Sequence, residues 1–125
     1  MFQTNVLGSQ LLQHFLDPFF FLKKDSDLKR TVWPSSGAQY ASMTDYCIYW
    51  KNPTFENVPI NKRPFAVALY GQGKCGSVFQ AHVWYLKNKK FVEDIGCIST
   101  SCYPGNLNTD LQRVWGCVQK MIFKI

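Results

Sequence analysis

The sequence predicts an α+β domain: helical segments first, then an antiparallel sheet of three to five strands, then a C-terminal amphipathic helix packed on that sheet. Two observations carry this expectation. Leu111, Val114, Trp115, Val118, Ile122 and Ile125 recur at the spacing of one helical face. Two strand-like runs, 78–86 and 91–100, are joined by Lys87-Asn88-Lys89-Lys90, a polar link of the length an antiparallel hairpin uses.

The remaining elements follow in chain order. Over residues 5–16, Val6, Leu7, Leu11, Leu12 and Phe15 form a rough helical stripe that Thr4 or Asn5 is suited to cap. Asp17-Pro18 has the chemistry of an N-cap and first helical position. A second helical piece is therefore expected from there through 19–22 and on towards Val32, with Pro34 stopping it and Ser35-Ser36-Gly37 as loop. Residues 46–50 and 65–70 are aromatic, β-branched or apolar and read as strands, separated by loops at Asn52-Pro53 and Val58-Pro59. Residues 71–76 read as a glycine-rich turn. In the run 78–86, Phe79, Ala81, Val83 and Tyr85 alternate with His82, Trp84 and Leu86, so a strand there is central and covered on both faces. Thr109 and Gln112 have capping-box spacing, with Asp110 in the first turn of the last helix and Lys120 and Lys124 in its last turns. No repeat, low-complexity segment or linker divides the chain, so residues 1–125 are expected to form a single domain.

Composition narrows the class. An apolar fraction of 46% with 16% aromatics excludes a disordered chain. The net charge of +6 favours an acidic partner. The cysteines, Cys47, Cys75, Cys97, Cys102 and Cys117, are odd in number and lack C-x-x-C spacing, and His14 and His82 stand far from the tightest pair. Free thiols in a reducing compartment are expected, with no metal site and no cofactor. The apolar run at 19–22 has no Lys or Arg before it and is interrupted by Asp17-Pro18, so no secretory signal is expected. The run is also too short to span a bilayer. Cytosol or nucleus follows as the expected location.

Catalytic patterns are incomplete. Residues 72–79 resemble the Q-G-x-C-G-S-C-W stretch of papain-like cysteine proteases, but Val78 stands where that family has its nucleophile and Phe79 where it has tryptophan. Cys75 with His82 is a second conceivable thiol–imidazole pair, and nothing in the sequence orients it. Gly71, Gly73 and Gly76 match G-x-G-x-x-G without the strand-before, helix-after context of a dinucleotide site. Glu93 and Asp94, as neighbours on a strand, would point to opposite faces. The chain is therefore expected not to be an enzyme.

Binding is better supported. No acidic residue stands between Glu56 and Glu93, whereas Lys62, Arg63, Lys74, Lys87, Lys89 and Lys90 do. Phe65, Tyr70, Phe79, Trp84, Tyr85 and Phe91 are interleaved with them, a combination that suits phosphate contact and base stacking. The expected contact residues are Lys74, Lys87, Lys89 and Lys90, helped by Arg113 and Lys120. A second basic group, Lys23, Lys24, Lys29 and Arg30, is diluted by Asp25 and Asp27 and reads as a solvated helical face.

Residues 64–122 resemble a double-stranded-RNA-binding domain. Phe79-x-Ala81-x-Val83 is similar to its first core strand, Lys87-Asn88-Lys89-Lys90 to its turn, Gly96 to its glycine, and Asn108-Thr109 leading into 111–122 to its last helix. Some small betacoronavirus accessory proteins have a similar run. The family's lysine cluster at the last helix is replaced here by Thr109-Asp110-Leu111-Gln112, and Pro104-Gly105 lengthens the preceding link. A second resemblance is to the nuclear-transport-factor-like cone, through Leu69-Tyr70-Gly71-Gln72, Phe79 and Leu86-Lys87-Asn88. The first resemblance implies a non-catalytic RNA-binding module working through a lysine-rich hairpin turn. The alternative is a protein-interaction adaptor, an accessory or regulatory protein that meets an acidic protein surface through an exposed aromatic patch near Trp50, Trp84 or Phe19 to Phe21.

Overall fold

A computed structural model of the chain describes residues 1–22, 27–42 and 46–105. A π-helical turn, Gln3–Gly8, runs directly into helix α1, Ser9–Leu22. Strand β1, Lys29–Pro34, follows, then a 3₁₀ turn, Gly37–Ala41, whose Ser36 hydroxyl accepts the Ala38 N–H at 3.2 Å. Helix α2 spans Ala66–Lys87, the short helix α3 Lys89–Asp94, and strand β2 Cys97–Cys102.

The strands β1 and β2 pair in parallel, in register from Lys29 opposite Cys97 to Pro34 opposite Cys102. The Ser35 N–H prolongs the ladder by donating to the Cys102 carbonyl at 2.7 Å. Parallel neighbours need a long crossover, and α2 with α3 lies within it. Along β1, Thr31 and Trp33 point inward and their neighbours outward, the two-residue period of a half-buried strand.

These elements correct the fold expected from sequence. Among the described residues the sheet has two parallel strands, not three to five antiparallel ones. The expected strands 65–70 and 78–86 and the glycine turn between them are all one helix, α2. The run 91–100 divides into the end of α3 and the start of β2. The sheet layouts implied by the double-stranded-RNA-binding and nuclear-transport-factor-like resemblances fall with those strands. Residues 46–50 form turns instead of a strand, with Cys47, Phe55 and Asn57 all at positive φ. The expected C-terminal helix lies outside the described residues.

The physical reason lies on the buried face of α2. Ser77, Gln80, Ala81 and Trp84 are buried at i, i+3, i+4 and i+7, and Gly73 and Gly76 continue that face towards the helix start, while Gly71, Gln72 and Cys75 are buried on the other side of the same helix. Helical periodicity is present, but small and polar residues carry it, while Phe79, Val83 and Leu86 are exposed. Glycine in a helix costs about 0.5–1 kcal/mol relative to alanine. Here close approach requires it: a Cβ on Gly71 would overlap the Ala38 carbonyl, and one on Gly76 would overlap the Val6 side chain.

The expected restart at Asp17-Pro18 is also absent, since α1 runs through Pro18. An N-cap carboxylate must bond the amides that follow it. Asp17 Oδ1 instead accepts Gln13 Nε2 at 2.7 Å and the Trp84 indole N–H at 2.8 Å. Trp84, 2% exposed, lies in the core with Trp33, Ala81, Val92 and Cys97, and Phe20 and Phe21 close over them. The Trp33 indole donates to Ser99 Oγ at 3.2 Å, and Ser99 Oγ donates to the Ala81 carbonyl at 2.8 Å, which ties both strands to α2. At the other end of α2, Gln72 accepts the Tyr49 N–H at 2.8 Å and donates to the Pro53 carbonyl at 2.7 Å, holding the turns around buried Ile48 and Phe55.

Two stability measurements test this packing. Trp84→Phe keeps an aromatic ring but leaves Asp17 without the indole donor, and should lower unfolding free energy in urea by about 1–3 kcal/mol. Gly73 has ordinary space for a Cβ, 3.5 Å from Asn5, so Gly73→Ala should stabilise by about 0.5–1 kcal/mol. Gly71→Ala should destabilise by about 1–3 kcal/mol. Equal signs for the two alanines in thermal melts would refute the close approach at Gly71.

Candidate functional site

The residues expected to contact a polyanion occupy separate places. Lys87 ends α2, and Asn88 turns the chain, donating its N–H to the Trp84 carbonyl at 3.1 Å and its Nδ2 to the same oxygen at 2.9 Å. Lys89 and Lys90 then open α3. The three lysines are exposed together at a helix–helix corner, which corrects the expected hairpin turn. Glu93 and Asp94 share α3 with them, so the corner carries three positive and two negative charges, a net +1. Lys89 Nζ lies 3.8 Å from Glu93 Oε1, an exposed pair of the kind that contributes about 0–1 kcal/mol.

Lys74 stands thirteen residues earlier on α2, about 20 Å along the axis. Its Nζ donates to the Pro34 carbonyl at 3.1 Å and lies 5.5 Å from the centre of the Tyr70 ring. Burial lowers its pKa from the usual lysine value. Arg113 and Lys120 lie outside the described residues. Of the interleaved aromatics, Trp84 is in the core, and Phe91 stacks on Phe21 at 5.0 Å. Phe79 and Trp50 are exposed side by side, with ring centres 6.4 Å apart.

Helix α1 organises two further surfaces. At about 100° per residue, Leu11, Phe15, Phe19 and Leu22 fall within an arc of about 80°. They are 58%, 64%, 72% and 78% exposed, a continuous apolar stripe along one helix. Asp17, the one Asp, Glu, Lys or Arg in α1, is turned to Trp84, so the stripe is uncharged. On the flank between stripe and core, Ser9, Leu12 and Leu16 line a cleft of about 280 Å³ that β1 and α2 close from the other side. Lys74 and Ser77 line it from α2, one turn apart.

The catalytic patterns do not assemble. Cys75 is buried and His82 exposed, about 10 Å apart along α2. Burial, then the hydrogen bond and charge of the neighbouring Cys47 thiol, push the Cys75 thiol up to about 12, against a hydrogen bond from Ser42 that lowers it. These effects favour the protonated thiol at neutral pH. The G-x-G-x-x-G glycines face Ala38, Asn5 and Val6 inside the packing. Among the described residues no group of three His, Cys, Asp or Glu side chains is placed to hold a metal ion, and no helix is long and apolar enough to cross a membrane. No family model, no curated protein and no solved structure matches the chain.

Proposed function

We propose that this chain is a non-catalytic protein-interaction module that docks the apolar stripe of α1 against a partner bearing apolar side chains flanked by acidic residues. The exposure of Leu11, Phe15, Phe19 and Leu22 on one helical face carries this reading. Contiguous apolar surface of this kind marks interaction sites, and aromatic anchors dominate the binding energy at such surfaces. The face has no charge of its own, so an apolar strip is its complement, and the chain's net +6 supports acids around that strip. RNA binding at the α2–α3 corner is the competing reading. The corner's net charge of +1 and the distance of Lys74 from it weaken a phosphate footprint there.

The test compares three forms of the full chain as baits in nuclease-treated lysate. Phe15→Glu with Phe19→Glu alters exposed positions only, so circular dichroism should be unchanged while the retained partner falls at least tenfold. Lys87→Glu, Lys89→Glu and Lys90→Glu together should leave that partner in place. Loss of all partners on nuclease treatment, or with the lysine variant alone, would transfer the function to RNA.

A further inference from the structure

The cleft between α1, β1 and α2 contains more hydrogen-bonding capacity than the protein uses. Ser77 is 5% exposed, and its hydroxyl makes no hydrogen bond with a described residue. The Asn5 carboxamide, across from it, makes none either. Thr31 Oγ1 is buried behind them beside the Cys97 thiol, with no partner at hydrogen-bonding geometry. Buried polar groups in folded proteins are nearly always paired, so the Thr31 hydroxyl is unusual, and the Ser77 hydroxyl and the half-buried Asn5 carboxamide leave further capacity open to the cleft. Lys74 adds a half-buried ammonium that donates to a single carbonyl and has no acidic residue in the cleft lining to balance it. Leu12, Leu16 and Val32 contribute hydrocarbon to the lining, beside the polar Ser9 and Gln13.

We propose that this cleft is a binding site for a small monocarboxylate with a short hydrocarbon tail, its carboxylate on Lys74 and Ser77 and its tail against Leu12, Leu16 and Val32. A single fixed cation matches a monoanion, and an ammonium N–H with a hydroxyl one helical turn away offers two donors to its two oxygens. The volume of about 280 Å³ lies just below the usual range for ligand pockets and suits a small molecule, not a polymer. Burial lowers the Lys74 pKa, as expected of a cation placed without a counter-ion, and a bound carboxylate would reverse that shift. The site is independent of the outward stripe of α1, since Leu12 and Leu16 lie on a different flank of that helix.

The experiment is an NMR titration of the isotopically labelled full chain with hexanoate, hexanol and inorganic phosphate. Hexanoate should give saturable shifts at the amides of Asn5, Lys74 and Ser77, with hexanol and phosphate at least tenfold weaker. Lys74→Met should weaken hexanoate at least tenfold and leave hexanol unchanged. Hexanol or phosphate binding as tightly as hexanoate, no saturable shift at those amides, or an unaltered Lys74→Met would each overturn the proposal. Should Lys74→Met fail to fold, Ser77→Ala with the wild-type shift map still decides it, with weaker hexanoate binding expected.

Discussion

The bond from the Trp84 indole to Asp17 is the constraint on which the rest of the structure depends. It links α1 to α2 at 2.8 Å, and it joins the most buried aromatic of the core to the only acidic residue of α1. A hydrogen bond to a carboxylate in partly desolvated surroundings is stronger than a neutral one. It fixes the rotation of α1 about its own axis. With Asp17 and Phe20 directed to the core, Leu12 and Leu16 must line the cleft, and Leu11, Phe15, Phe19 and Leu22 must face out. The outward stripe and the cleft both follow from that one rotational setting.

The buried face of α2 imposes the second constraint. A helix that buries Gly71, Gly76, Ser77, Gln80 and Ala81 gains little from apolar area. Its benefit is proximity: the Val6 turn and the 37–41 turn reach its backbone. Specific polar bonds then fix the register. Gln80 donates to the Val6 carbonyl, Gln72 bridges Tyr49 and Pro53, and Ser35 Oγ donates to the Lys74 carbonyl at 2.9 Å. Where such close packing ends, between α1 and β1 alongside Lys74 and Ser77, the cleft opens.

How much of this was legible follows from which side chains mark the period. The helical stripe over 5–16 is marked by leucine and phenylalanine, and a helix is found there. What its large apolar residues could not reveal is that several of them face water instead of the core. In α2 the relation inverts: Phe79, Val83 and Tyr85, read as one face of a strand, lie outside or at the margin, while glycine, serine and glutamine mark the buried side. A hydrophobic period cannot detect a face made of residues that are not hydrophobic. The glycines were read as a turn because their usual reason is conformational freedom, whereas here it is the absent Cβ. The lysine cluster at 87–90 was legible as an exposed basic corner, but its element type was not, because a polar link of that length joins helices as readily as strands. The cleft was invisible in sequence, since Asn5, Thr31 and Lys74 meet only through the tertiary fold.

The exposed stripe has an energetic consequence for the fold. Burying a large apolar side chain is worth about 1.5–3 kcal/mol, and Leu11, Phe15, Phe19 and Leu22 leave most of that unrealised. Their burial could not have been gained by turning α1, because the rotation that hides them would pull Asp17 from Trp84 and uncover Phe20. The fold therefore holds its apolar stripe outward as a by-product of satisfying a buried polar pair. A partner that covers the stripe gains that area without disturbing the core bond. The proposed binding and the folding therefore draw on different faces of one helix, and on that reading substitutions on the stripe alter recognition while the Trp84–Asp17 bond keeps the scaffold in place.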